Sequence, residues 1–176
     1  MGDKTKKKYQ TFYNKLLEKI PKNLNFKDLN SYHPKLKKGR VIKVYDGDSI
    51  TIAATLPKSN DREFYKFNIR LNRIDTPEIR TQNTTEKIYG IKIRDLLNEK
   101  IMNKMVNLKV INTDKYGRLL AEVSYKNENI NDWLLINKYA MEYDGGTKKE
   151  FNKSSFNNSL NLNSQNSNKV SPILLK

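Results

Sequence analysis

Three short segments hold most of the side chains in this chain that could do chemistry. Asp46-Gly47-Asp48-Ser49 separates two stretches of alternating apolar residues. Arg70-Leu71-Asn72-Arg73-Ile74-Asp75-Thr76-Pro77-Glu78 closes a third, and Thr113-Asp114-Lys115-Tyr116-Gly117-Arg118 joins two more. Asp48, Asp75 and Glu78 are carboxylates at strand ends, where a closed sheet brings separated segments together. Several carboxylates attract a hard cation such as Ca2+ or Mg2+, which prefers oxygen ligands. Pro77 stiffens the chain between Asp75 and Glu78 and removes a backbone donor, so main-chain carbonyls there can join a ligand set. Arg118 follows a Lys-Tyr-Gly turn and opens a strand, where a two-pronged guanidinium could face a phosphate. Each segment also has a local reading. Asp-Gly-Asp is a common turn, Thr-Pro-Glu can begin a helix or end a strand, and Arg118 can be an ordinary surface arginine.

The rest of the composition narrows the chemistry. There is no cysteine, so disulfides and thiolate metal sites are excluded. The one histidine, His33, excludes two-histidine ribonuclease chemistry and zinc sites built on several imidazoles. A hydrolase made from this chain must use carboxylates, Arg, Lys, Tyr or hydroxyls. The net charge is +15 with a pI of 9.8, which suits a polyanionic partner, although lysines also serve simply to keep a chain soluble. Residues 1–38 carry eleven Lys against three acids, a net of +8. No apolar run approaches the roughly 18 residues of a membrane span, and no apolar stretch follows the basic start as in a secretory signal. The expectation is therefore an intracellular protein without a membrane partner, and a monomer.

The elements that must position these residues can be read from periodicity. Tyr9, Phe12, Tyr13, Leu16, Leu17 and Ile20 recur at helical spacing over residues 4–20, with Lys filling much of the opposite face. That stripe can pack on the main domain while Lys6, Lys7, Lys8 and Lys15 lie along phosphates. Period two takes over near Arg40, with Val41, Lys43 and Tyr45 alternating with Ile42 and Val44. Further strands fall at Ile50–Leu56, Tyr65–Leu71, Val106–Val110 and Leu119–Tyr125, with helices at about 86–103 and 130–140. Three strands, a helix, two strands and a helix is the plan of an OB-type barrel. The predicted fold class is α+β, mainly β: a five-stranded barrel with helices after strands three and five and an added N-terminal helix. The predicted divisions are a basic helical extension over 1–38, the barrel domain over 39–151, and an Asn/Ser-rich tail over 152–176 expected to be disordered.

The motifs together resemble the staphylococcal nuclease family. Tyr-Asp-Gly-Asp-Ser-Ile (45–50), Arg-Leu-Asn-Arg-Ile-Asp-Thr-Pro-Glu (70–78), Glu-Lys-Ile-Tyr-Gly (86–90) and Thr-Asp-Lys-Tyr-Gly-Arg-Leu-Leu-Ala (113–121) occur in the family's order, and the likeness covers about residues 40–144. The resemblance implies a nuclease that hydrolyses phosphodiester bonds of DNA and/or RNA. It implies that Asp48 and Asp75 bind the catalytic metal, usually calcium, though Mg2+ or another divalent cation is open. By the same resemblance Thr76 lends its main-chain carbonyl, Glu78 is the general base, and Arg70 and Arg118 hold the scissile phosphate. Lys115 and Tyr116 match a pair lining the nucleotide pocket. The alternative is an inactive barrel that binds nucleic acid or protein; in such relatives the Asp, Glu and Arg set erodes, whereas here it is present.

Three departures stand out. Tyr-Ala-Met-Glu-Tyr-Asp-Gly-Gly at 139–146 matches the family's pocket tyrosines only with a shift of about one residue, and Tyr143 is taken as the pocket residue. The family's long C-terminal helix is not evident after Gly146, and the basic N-terminal helix lies outside the familiar core. That extension, with over half of the net charge, is expected to add sequence-independent affinity for long polyanions.

Overall fold

The computed structural model describes residues 3–23, 32–57, 63–147 and 150–156. The chain divides into two compact units, residues 1–32 and 33–176. The first holds α1 (Asp3–Leu17), close to the helix expected at 4–20. Residues 33–38, assigned from sequence to the extension, fall in the second unit. There Leu36 is buried and Lys38 opens the first strand.

The second unit is a closed barrel of five strands: β1 (Lys38–Val44), β2 (Ser49–Ala54), β3 (Tyr65–Leu71), β5 (Met105–Thr113) and β6 (Leu119–Tyr125). Three two-residue strands accompany it: β4 (Ile74–Asp75), β7 (Glu128–Asn129) and β8 (Met141–Glu142). The helices are α2 (Thr84–Ile101), between β4 and β5, and α3 (Ile130–Ile136), after β7. Neighbours run antiparallel in the order β3-β2-β1-β5-β6, and a parallel pairing of β3 with β6, Ile69 opposite Leu119, closes the ring. This is the five-stranded plan expected from the element order.

Closing so small a barrel requires strong strand coiling, and bulges supply it. The register slips between Val41 and Lys43 in β1 and between Val110 and Asn112 in β5. Ile42 and Ile111, the residues skipped, are both exposed. The simple alternation read along 41–45 breaks here: Val41 and Val44 are both inward, three residues apart.

Helix α2 caps the barrel. Tyr89, Ile93, Leu97 and Ile101, spaced four apart, are fully buried along one stripe. Asn83 caps its start by accepting from the Glu86 N–H at 3.1 Å. Tyr89 also packs edge-on against Phe151 and Phe156, with ring centroids 5.6 and 6.2 Å away. Phe156 is buried, although it lies in the stretch expected to be disordered, and it follows a single 3-10 turn, Lys153–Ser155. The remainder of that tail, residues 157–176, lies outside the described residues.

Gly90 ties this helix to the chemistry-bearing loop. A Cβ at Gly90 would stand 2.6 Å from the Pro77 carbonyl oxygen. Alanine is better than glycine inside a helix by about 1 kcal/mol, but here the obstacle is backbone that cannot swing aside. Gly90→Ala should therefore destabilise the protein by about 1–3 kcal/mol in urea denaturation, and a gain in stability would contradict the contact.

Candidate functional site

The barrel's hydrogen-bond register assembles the site. Ser49 on β2 lies opposite Arg70 on β3, and the Leu71 N–H donates to the Asp48 carbonyl at 2.8 Å. Asp75 is held on β4 by pairing with Met141 of β8. The Asp-Gly-Asp turn then presses against the loop after β4. A Cβ on Gly47 would lie 2.8 Å from Thr76 Oγ1 and 2.8 Å from Ile93 Cγ2, so only glycine admits this approach.

Arg70, Asp48 and Asp75 form one buried cluster. Arg70 Nη1 ion-pairs with Asp48 Oδ2, and its Nη2 donates to Asp75 Oδ1 at 3.0 Å. Asp48 and Asp75 are only 5% and 9% exposed. The Thr76 N–H donates to Asp48 Oδ2 at 3.2 Å, and the Ser49 hydroxyl donates to Asp48 Oδ1 at 3.0 Å. Burial pushes the Asp48 carboxyl up to about 6. Arg70 opposes that rise, and the nearby Asp46 carboxylate, which accepts from the Asp48 N–H at 3.2 Å, reinforces it.

Arg118 approaches from the strand that closes the barrel. Its Nη1 donates to the Ser49 hydroxyl at 3.1 Å, and its Nε donates to Asp114 Oδ2 at 2.7 Å. Burial works against ionisation of Asp114. Hydrogen bonds from Arg118 and Tyr116 outweigh it and hold the carboxyl below its usual range. The guanidinium is thus fixed across a turn that connects it, through Ser49, to Asp48.

The other expected residues lie around this centre. Glu78 sits three residues after Asp75, and its N–H donates to Glu86 Oε1 at 3.1 Å. Lys115 and Tyr116 occupy the exposed turn before Arg118, with Lys115 Nζ 5.2 Å and Arg118 Cζ 5.6 Å from the Tyr116 ring centroid. Tyr143 donates its hydroxyl to the Gly146 carbonyl at 2.7 Å. It lines an open cleft of about 460 Å³ together with Asp75 and Arg73.

Several positioning residues escape sequence reading. Ser49 and Asp114 lie inside the motifs, yet their part becomes visible only through Arg118. Arg73, at φ 65°, turns the chain between β3 and β4. It is clasped by Glu122 through Nε at 2.8 Å and Nη2 at 3.1 Å, and by Asp132 at 3.0 Å. Burial would raise the Glu122 carboxyl, but hydrogen bonds from Arg73, Asn129 and Asn72 with the Arg73 charge bring it below its usual value. Asn131 is fully buried. It accepts from the Val123 N–H and donates to the Asn72 and Ala121 carbonyls, fastening the same turn to β6. Neither Glu122 nor Asn131 belongs to a readable motif.

Among the described residues, no three or more His, Cys, Asp or Glu side chains are grouped so as to hold a metal by themselves. The two buried carboxylates supply oxygen donors only.

This barrel, with carboxylates and arginines gathered where β2, β3 and β6 meet, is that of a known class. The family model described as Staphylococcal nuclease homologue matches residues 68–166, and the chain belongs to that family. It is 33% identical over 97 residues to the thermonuclease of Staphylococcus hyicus, covering 54% of this chain and 53% of that protein. It is 35% identical over 92 residues to an uncharacterized endonuclease of Haemophilus influenzae, covering 52% and 44%. A probable endonuclease of Schizosaccharomyces pombe is 28% identical over 159 residues, covering 74% and 69%. The chain thus spans 53% and 44% of the length of the first two.

The central cluster generates a pH-dependent test. Removing Arg70 strands two buried carboxylates against each other, a loss of about 3–5 kcal/mol for a broken buried pair. Asp48 has a folded value above its unfolded one, so the folded state binds the extra proton between the two values and gains stability as pH falls. Arg70→Gln should therefore be most destabilised at pH 8 and partly recover at pH 5 in urea denaturation. An equal loss at both pH values would contradict the cluster.

Proposed function

We propose that the protein is a divalent-cation-dependent nuclease that hydrolyses phosphodiester bonds in DNA or RNA. The observation that carries this reading is the buried Asp48–Arg70–Asp75 cluster, with Arg118 linked to it through Ser49. A structural ion pair would balance its charges. Here Arg70 bonds two aspartates, and at Asp48 burial together with the neighbouring Asp46 outweighs it, so that this carboxyl is pushed up to about 6. A cation relieves that excess.

Asp48 and Asp75 would hold the cation, with the Thr76 main-chain carbonyl and water completing an all-oxygen shell of the kind Ca2+ and Mg2+ accept. Bound there, the ion would supply Lewis-acid stabilisation of charge on the phosphate oxygens. Arg70 and Arg118 orient the scissile phosphate and meet the charge that builds on it, more strongly in the transition state than before it. Asp114 and Ser49 hold the Arg118 fork at a fixed angle. Glu78 takes a proton from the attacking water, a contribution of typically ~10²- to 10⁴-fold. The chemistry needs no imidazole and no thiol, which agrees with one histidine and no cysteine. Tyr143, with Asp75 and Arg73 in one cleft, and Lys115 and Tyr116 on the turn before Arg118, would line the nucleotide. The basic residues 1–38 add affinity for long polyanions.

Digestion of single- and double-stranded DNA and of RNA, with Ca2+, with Mg2+ and with chelator, tests the reading. Cleavage that chelator abolishes is expected, and binding without cleavage would favour an inactive barrel instead. Glu78→Gln should keep most substrate affinity and lose about 10²-fold or more in turnover. Arg118→Lys should also lose turnover, since one ammonium cannot replace a two-pronged guanidinium. Asp75→Asn should weaken metal binding by calorimetry and activity together. Near-normal turnover in the first two variants would reassign those roles.

A further inference from the structure

A second cleft, of about 500 Å³, opens beside Asp46 at the start of the Asp-Gly-Asp turn. Its walls include Glu78 and Asp46, whose carboxylate accepts from the Asp48 N–H, so it borders the residues assigned above to the chemistry, and they extend to Lys43, Tyr45, Arg80 and Arg94. Three separate segments contribute to it: the end of β1, the bend after Glu78, and the outer face of α2.

Tyr45 is the organising residue. The residue is 42% exposed. Lys43 Nζ stands 5.3 Å and Arg80 Cζ 5.2 Å from its centroid. Two cations gathered on one aromatic ring repel each other, and an exposed cation–π contact returns only a small part of that cost. Among the described residues neither Lys43 nor Arg80 forms a salt bridge, whereas Arg94 is neutralised by Asp95 at 2.7 Å. The pair at Tyr45 therefore concentrates positive charge at the cleft, next to acids that belong to the reacting centre. Such an arrangement is suited to an anion that reaches in from that centre. Arg80 lies two residues beyond Glu78, a chain span of at most about 7 Å, which is on the scale of one nucleotide step.

We propose that Lys43 and Arg80, arrayed on Tyr45, form a subsite for the phosphodiester that flanks the scissile one on a single-stranded or locally opened nucleic acid. This rests on the nuclease reading for its direction along the strand, but its binding is separately measurable. The flanking phosphate is met by the Lys43 ammonium and the Arg80 guanidinium, which Tyr45 holds at the cleft. The subsite thus favours substrates longer than a single phosphodiester bond.

The test compares wild type, the Lys43→Gln/Arg80→Gln double variant and Tyr45→Leu, all at exposed positions, on a dinucleotide and on a longer oligothymidylate. Fluorescence anisotropy across a salt series measures binding of the longer strand with chelator present, so that the strand stays intact, and cleavage is followed separately with Ca2+. The double variant should lose about 0.7 of log–log salt slope for the one phosphate contact removed from a single strand. Its deficit in kcat/KM should be larger on the long strand than on the dinucleotide, with Tyr45→Leu in between. An unchanged slope, or an equal deficit on both substrates, would overturn the subsite. If wild type cleaves neither substrate but the double variant still loses slope, the subsite stands and the nuclease reading fails.

Discussion

The structure turns on one guanidinium. Arg70 reaches from β3 into the floor of the site and bonds two aspartates that the chain delivers from different directions, Asp48 from the β1–β2 turn and Asp75 from β4. Either carboxylate alone, buried as deeply, would take up a proton or be excluded. Sharing one cation lets both remain close. The compensation is incomplete, as the elevated Asp48 carboxyl shows; on the function proposed above, that residual charge is what would attract a divalent ion.

Much of the surrounding fold can be understood as holding those three side chains in register. The parallel β3–β6 pairing that closes the barrel also brings the Arg118 turn beside the Arg70 strand. Gly47 and Gly90 let the Asp-Gly-Asp turn, the Thr-Pro-Glu loop and helix α2 come together without side chains between them. Arg73 and Asn131 do the same work on the far side. They fasten the β3–β4 turn to β6 and α3, so that Asp75 enters the cluster from a fixed direction. Small closed barrels have little core to spare, and here the packing of α2 on the barrel also positions the loop that carries Glu78.

The barrel strands and α2 were legible in the sequence because their apolar period is long enough to read: β3 and β6 fall at the expected residues, and the helix expected at about 86–103 is α2, buried along Tyr89, Ile93, Leu97 and Ile101. Asp48, Arg70, Asp75 and Thr76 were legible as motif positions, and they meet in space. What escaped was set by contacts between distant segments. Two-residue strands such as β4 and β8 have no periodicity to detect. Ile42 reads as one more alternating residue until the bulge that skips it is seen. Glu122 meets Arg73 across 49 positions and Asn131 meets Asn72 across 59, and nothing local announces either. Phe156 hides in an Asn/Ser-rich stretch whose average composition outweighs one aromatic ring.

The central claim, that Asp48 in the Arg70-bridged cluster is an under-compensated carboxylate suited to a cation, is tested most directly by following its carboxyl carbon by NMR through a pH titration, with and without saturating Ca2+. In the metal-free protein it should titrate near the value of about 6 to which burial pushes it. With Ca2+ the midpoint should move down by well over one unit, because the ion competes with the proton for the same oxygens. A midpoint that lies in the ordinary carboxylate range without metal, or that stays in place when Ca2+ is added, would contradict the account.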